Sequence, residues 1–217
     1  MENQKIERQG AYGSNSWLQD VQRRRKWVLR GLSVVAFIGV LVSDSMWQPN
    51  GLVQETIEFL GVSMLALCVL GRAWCTLYIG GRKKAELVQD GPYSISRNPL
   101  YVFSIMGAAG VGAAADSIVI TVLTAVACYA VFAVVVLQEE AFLSARFGRA
   151  YEAYCARVPR FWPRFSVWRN VKTVDASPNL VLASVRDGAL FFLAIPLIMG
   201  IDYLRDIGVL PTLFVLP

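Results

Sequence analysis

Two short stretches hold most of the residues that could do chemistry. The first, DGPYSISRNPLY, runs from Asp90 to Tyr101 and carries Tyr93, Arg97, Asn98 and Tyr101 between turn-forming glycine and proline. The second is the carboxylate pair Glu139-Glu140. Both stretches border long apolar runs, so their polar groups sit where a chain would enter or leave a bilayer. An ionisable group at that depth is costly and is a functional hypothesis by default. An arginine facing two carboxylates can build an ion pair, while phenols and a carboxylamide can hold a polar ligand by hydrogen bonds. The alternative reading is interfacial snorkelling plus a structural salt bridge.

The chain has 217 residues and no histidine. The commonest general base, zinc ligand and haem ligand is therefore absent. Four cysteines, Cys68, Cys75, Cys128 and Cys155, form no CxxC pair, and two of them lie in apolar runs. They read as reduced, mostly buried thiols rather than as a disulfide framework or metal site.

Hydrophobic residues make up 55% of the chain and charged residues 17%, with mean hydropathy +0.47. Those values predict an all-α fold, a polytopic membrane bundle with about four to five transmembrane helices and a cytoplasmic amphipathic helix. Residues 1–26 form a polar basic segment. Two spans follow in 27–79, at Trp27–Trp47 and Ile57–Tyr78. Residues 80–165 hold the polar loop Gly80–Pro99, two further apolar runs (Leu100–Ala115 and Ile118–Leu137) and the amphipathic segment. Only Asp116-Ser117 divides those two runs, which predicts a tight antiparallel hairpin. Gly107, Ala108, Ala109, Gly110 and Gly112 predict close helix contact there. Residues 166–217 form a carboxy-terminal extension whose apolar part, Gly188–Pro217, could be one irregular span or an interfacial hairpin.

Lysine and arginine sort by side. Arg23–Lys26, Arg82, Lys83, Lys84, Arg97 and a series from Arg146 to Lys172 lie at one edge, whereas Ser43–Glu55 and Asp116-Ser117 carry none. The positive-inside rule then places the amino terminus, the Gly80–Pro99 loop and the region beyond Leu137 in the cytoplasm. The chain is expected in a membrane, the inner or cell membrane in a bacterium, with the site on the cytoplasmic face. Beyond Glu140, Leu143, Phe147, Tyr151, Tyr154 and Val158 recur at helical spacing, the pattern of an amphipathic helix. Because the third and fourth runs form a hairpin, the two chemical stretches are expected to meet, with Arg97 pairing Glu139 or Glu140.

Gly91-Pro92-Tyr93-(x)3-Arg97-Asn98-Pro99-Leu100-Tyr101, followed by Glu139-Glu140-(x)2-Leu143-(x)3-Phe147-Gly148-(x)2-Tyr151-(x)2-Tyr154-(x)3-Val158-Pro159, resembles the isoprenylcysteine carboxyl methyltransferase and phospholipid methyltransferase superfamily. The resemblance covers about residues 72–165. It implies an integral membrane enzyme using S-adenosylmethionine on a membrane lipid or lipidated acceptor, with no nucleic-acid partner. It implies cofactor contacts from Ala85, Glu86, Leu87 and Val88, and enclosure of the adenosine by Tyr93, Asn98, Pro99, Leu100 and Tyr101. Glu139 would hold ribose hydroxyls or the amino group, and Arg97 would brace the loop. Glu140 or Tyr101 would relay a proton for an amine acceptor. Asn98 stands where the family usually has histidine, Ala85 where another is common, and Val135 where the isoprenylcysteine branch carries arginine. A phospholipid N-methyltransferase is the near alternative. An NADPH-dependent sterol-type reductase and a non-catalytic scaffold are the alternatives of other classes.

Overall fold

The structure, a computed structural model, describes residues 27–28, 30–31, 33–47, 51–81 and 86–217. The chain is an all-α membrane bundle. Its described elements are α1 (Ser33–Val42), β1 (Ser43–Ser45), α2 (Leu52–Ile79), α3 (Pro92–Ile95), α4 (Pro99–Ala114), α5 (Ile118–Phe147), α6 (Arg149–Arg157), α7 (Pro178–Ala189), α8 (Ala194–Asp206) and β2 (Phe214–Leu216). Short 3₁₀ turns lie at Phe165–Val167 and between α7 and α8.

Among the described residues, three helical runs are long and apolar enough to cross a bilayer: Leu52–Ile79, Ile118–Phe147 and Pro178–Asp206. The expected third run is realised as α4, whose 16 residues give about 24 Å at 1.5 Å per residue, less than the ~30 Å hydrocarbon layer. It survives at that length because it is sandwiched between α2 and α5. A Cβ at Gly61 of α2 would lie 2.6 Å from the Ala114 amide nitrogen, and one at Gly110 of α4 would lie 2.9 Å from the Gly61 carbonyl. No side chain fits between those backbones, so the small residues are what let α2 and α4 touch. The α4–α5 join is as short as expected, with the Ser117 hydroxyl accepting from the Ile120 amide to cap α5.

Three boundaries differ from the sequence reading. The first apolar run does not stay helical to Trp47. It ends at Val42, because Ser43–Ser45 pairs in parallel with Phe214–Leu216 near the chain's end. The fourth run does not leave its helix at Leu137. It continues to Phe147, so Glu139 and Glu140 project from the body of α5. The amphipathic helix is consequently two pieces, broken at Gly148, whose φ of 50° is a left-handed conformation. Its apolar face is unbroken all the same: Leu143 and Phe147 of α5 pack with Tyr151, Tyr154 and Val158 beyond the break.

The carboxy-terminal run, left open by its sequence, lies antiparallel along α2. Leu180 lies beside Gly80, Gly188 meets Val69, and Asp202 and Asp206 share a cavity with Gln54 and Glu58. That cavity, about 320 Å³, sits at the far end of the bundle and holds none of the motif residues. All four cysteines are free, and Cys68, Cys75 and Cys128 are buried.

Candidate functional site

At the other end, the segment from Glu86 to Asn98 folds over the tops of α4 and α5. Its turn is set by Gly91, at φ 59°, where a Cβ would fall 2.4 Å from the Tyr78 ring. Only glycine meets both conditions, the backbone angle and the space. Pro92 then opens α3 at its first turn, and the Ser94 hydroxyl donates to the Gly91 carbonyl at 2.6 Å.

The segment is tied to the stretch after α6, mostly through backbone. The Arg97 amide donates to the Pro159 carbonyl (2.9 Å), the Arg164 amide to the Ile95 carbonyl (2.9 Å) and the Gly91 amide to the Arg169 carbonyl (2.8 Å). Side chains complete the seam. The Ser96 hydroxyl donates to the Phe161 carbonyl at 3.0 Å, the Asn98 carboxamide to the Arg160 carbonyl at 3.2 Å, and Arg157 to Gln89 at 2.6 Å. The Tyr154 hydroxyl donates to the Tyr93 carbonyl at 2.7 Å.

Glu140 anchors this seam to α5. Arg97 Nη2 stands 3.2 Å from Oε1, and Arg160 holds Oε2 at 2.8 Å through Nη2 and 3.0 Å through Nε. The expected pairing of Arg97 with one of the two glutamates is therefore made to Glu140. The two side chains are 11% and 12% exposed, whereas Arg160 is 44% exposed. With both oxygens engaged by guanidinium groups, Glu140 is placed to hold the loop.

Beneath the loop is a cavity of about 160 Å³. Glu86, Leu87, Val88, Tyr93, Arg97, Asn98, Leu100, Tyr101 and Glu139 all line it. Two other expected residues border it differently. Pro99 is buried as the first residue of α4, and Glu140 sits in the ion-pair cluster. Ala85 lies outside the described residues. Ile79, Phe142, Leu143 and Tyr154 also line the cavity, and Arg160 completes the clamp; the sequence reading did not assign these. Leu143 and Tyr154 were visible as one apolar helical face, and that face is what closes the cavity. Arg160 carried no signal beyond its charge.

Burial pushes the Tyr93 phenol well above its ordinary range, with neighbouring Cys75, Tyr154, Tyr101 and Glu139 adding to it. Burial raises Tyr154 as well, against the opposing charge of Arg97. Both phenols are thus neutral hydrogen-bonding groups at physiological pH. The lining combines carboxylate, phenol, carboxamide and guanidinium groups with leucine, isoleucine, valine and phenylalanine side chains. That combination suits a ligand with a cationic or hydroxyl-bearing part and a flat apolar part.

Comparison with known proteins gives three matches. The family model described as phospholipid methyltransferase matches residues 57–150. The chain is 32% identical over 197 residues to the nickel-cobalt-cadmium resistance protein NccN of Alcaligenes xylosoxydans xylosoxydans, covering 90% of this chain and 91% of that one. It is 33% identical over 188 residues to the cobalt-zinc-cadmium resistance protein CzcN of Cupriavidus metallidurans, covering 87% and 86%. No solved structure matches it.

Proposed function

From the premise that the chain belongs to the phospholipid methyltransferase family, we propose that it is an S-adenosylmethionine-dependent methyltransferase. Its acceptor would be an amphiphile, a lipid or lipidated molecule, at the cytoplasmic membrane edge. The observation that carries this reading is that residues of both motifs line one cavity at the open end of the α4–α5 hairpin.

The residues fit the cofactor by their chemistry. Glu139 can accept from ribose hydroxyls or an amino group, and the Tyr93 and Tyr101 rings can flank a planar base or a cation. Leu87, Val88, Leu100, Phe142 and Leu143 exclude water. In this conformation the cavity is smaller than the roughly 300–1,000 Å³ of pockets that enclose drug-sized ligands. Seating a nucleoside therefore requires the cavity to widen.

Bound there, S-adenosylmethionine would supply a methyl group already activated by its sulfonium charge. The chain's own task is then alignment and dryness rather than activation. A carboxylate or phosphate acceptor needs no base. An amine acceptor must lose a proton, and Glu140 is committed to two arginines. The geometry therefore favours an oxygen acceptor, with Tyr101 left as the relay if the acceptor is an amine.

The relatives' names supply a setting. Methylation of a membrane component would be this chain's part in resistance to divalent metal ions. A strain lacking the protein should then lose cobalt or cadmium tolerance, and Glu139→Ala should fail to restore it.

The direct test uses purified protein in detergent. S-adenosylmethionine should raise its melting temperature and NADPH should not. Glu139→Ala or Tyr93→Ala should weaken binding roughly tenfold to a hundredfold. Membranes given radiolabelled cofactor should gain organic-extractable label, released as methanol by brief base treatment. Protection by NADPH alone would replace this reading with the reductase, and protection by neither would favour the scaffold.

A further inference from the structure

Arg72 lies within α2, seven residues before its end, and inside the apolar run. It is partly exposed. Its Nη1 donates to the Ser104 hydroxyl at 2.6 Å, and Ser104 itself donates to the Leu100 carbonyl at 2.8 Å. No carboxylate of the described residues stands within salt-bridge distance of it. Among the described residues, the enclosed arginines Arg97 and Arg205 are matched: Arg97 meets Glu140, and Arg205 meets Asp202 and Asp44. A neutral hydroxyl satisfies one N–H of a guanidinium but does not offset its charge. A cation held in a low-dielectric span without an anion is expensive.

Its height is informative. Ser104 is one helical turn below Leu100, which lines the cavity. At 1.5 Å per residue that is about 6 Å deeper. A molecule entering sideways from the bilayer, with its head toward the cavity, would pass this level.

We propose that Arg72 is the anion anchor of the acceptor: it takes a phosphate or carboxylate oxygen of an amphiphile whose chain remains in the bilayer. This rests on the membrane-acceptor reading above, but the anchor acts before any methyl transfer and can be measured without it. Arginine suits the role because its fork presents paired donors to two oxygens of either group. The Ser104 contact fixes one edge of the guanidinium and leaves its charge for the ligand.

The test uses the full chain in nonionic detergent without cofactor. The probes are spin-labelled phosphatidylglycerol, spin-labelled fatty acid and, as the uncharged control, spin-labelled diacylglycerol. The wild type should bind at least one anionic probe about tenfold or more tighter than diacylglycerol. Preference for phosphatidylglycerol assigns the phosphate, and preference for the fatty acid assigns the carboxylate. Arg72→Gln keeps a donor for Ser104 and should bring all three probes to the diacylglycerol level, while Arg72→Lys should retain part of the preference. Ser104→Ala, which leaves the charge in place, should keep it too. This variant tests the anchor even where Arg72→Gln fails to fold. Equal anionic binding by wild type and Arg72→Gln would overturn the proposal, as would loss of preference in Ser104→Ala or no preference in the wild type. Displacement of the anionic probe by S-adenosylmethionine would also overturn it, assigning Arg72 to the cofactor.

Discussion

Glu140 is held by two arginines, and the structure says which matters more. Arg160 has the shorter contacts, 2.8 and 3.0 Å, against 3.2 Å for Arg97. Distance alone would rank Arg160 first. But Arg160 is 44% exposed, and Arg97 11%. Water and salt screen the first pair, which should couple by less than about 1 kcal/mol. The Arg97 pair is enclosed. Removing Arg97 leaves Oε1 facing only the Asn98 carboxamide at 3.5 Å, and the loss of a charged hydrogen bond in such a place costs about 1.5–3 kcal/mol. Arg160 still neutralises the carboxylate, which keeps the cost below the ~3–5 kcal/mol of a fully orphaned buried charge. For a chain of this size, about 2 kcal/mol lowers the melting temperature by roughly 4–8 °C. Double-mutant cycles should be run for Arg97→Ala with Glu140→Ala and for Arg160→Ala with Glu140→Ala, in low and high salt. The Arg97 coupling should be larger and barely salt-dependent; the Arg160 coupling should be small and fall with salt. A larger coupling for Arg160 would refute the argument that burial outranks distance here.

Three further outcomes are expected. Gly91→Ala should destabilise by about 2 kcal/mol or more, since it adds left-handed strain to a clash with the Tyr78 ring; a melting temperature within a degree of wild type would dismiss the tight turn. Tyr154 has its phenol raised by burial, so the folded state holds that proton more tightly than the unfolded chain does. The stability from this is fully present below the ordinary tyrosine value of ~10 and declines as pH rises from there toward the folded value. Tyr154→Phe should flatten that alkaline decline, and an unchanged pH profile of unfolding would count against it. Finally, with Cys155 replaced by serine, a cysteine at exposed Glu152 should react only from the cytoplasmic side and one at exposed Glu55 only from the other; labelling of both from one side would break the orientation.

The sequence made some of this visible and hid the rest for physical reasons. The α2 and α5 spans and the α4 run are continuous apolar stretches, so hydropathy alone finds them. Tyr93, Arg97, Asn98, Tyr101 and Glu139 stood out as polar groups beside apolar runs, whereas Glu86, Leu87, Val88 and Leu100 were reached only through a resemblance. The carboxy-terminal run was illegible because Pro196, Asp202, Arg205 and Asp206 interrupt its apolar pattern. Arg205 is matched by Asp202 within the helix, by Asp44 and by the Val40 carbonyl, partners that exist only after folding. The end of α1 was missed because it depends on a strand about 170 residues away. Arg160 was missed because one basic residue among many at the membrane edge looks like any other until Glu140 is beside it.

The backbone seam between the loop and the stretch after α6 has a consequence for how this chain can change. Amide and carbonyl groups are common to nearly all residues, so the three ties at Gly91, Ile95 and Arg97 do not depend on which side chains stand at Pro159, Arg164 and Arg169. They do depend on spacing. Ile95 and Arg97 are two residues apart and meet partners five apart, Arg164 and Pro159, and Gly91 meets Arg169 five residues further on. The strands of the seam thus run in opposite directions, like the two sides of a zip whose teeth are uneven. Substitution at most of these positions leaves the teeth in place. A single inserted or deleted residue between Pro159 and Arg169 shifts every tooth beyond it and lifts the wall off the cavity. The region should therefore drift in composition while keeping its length.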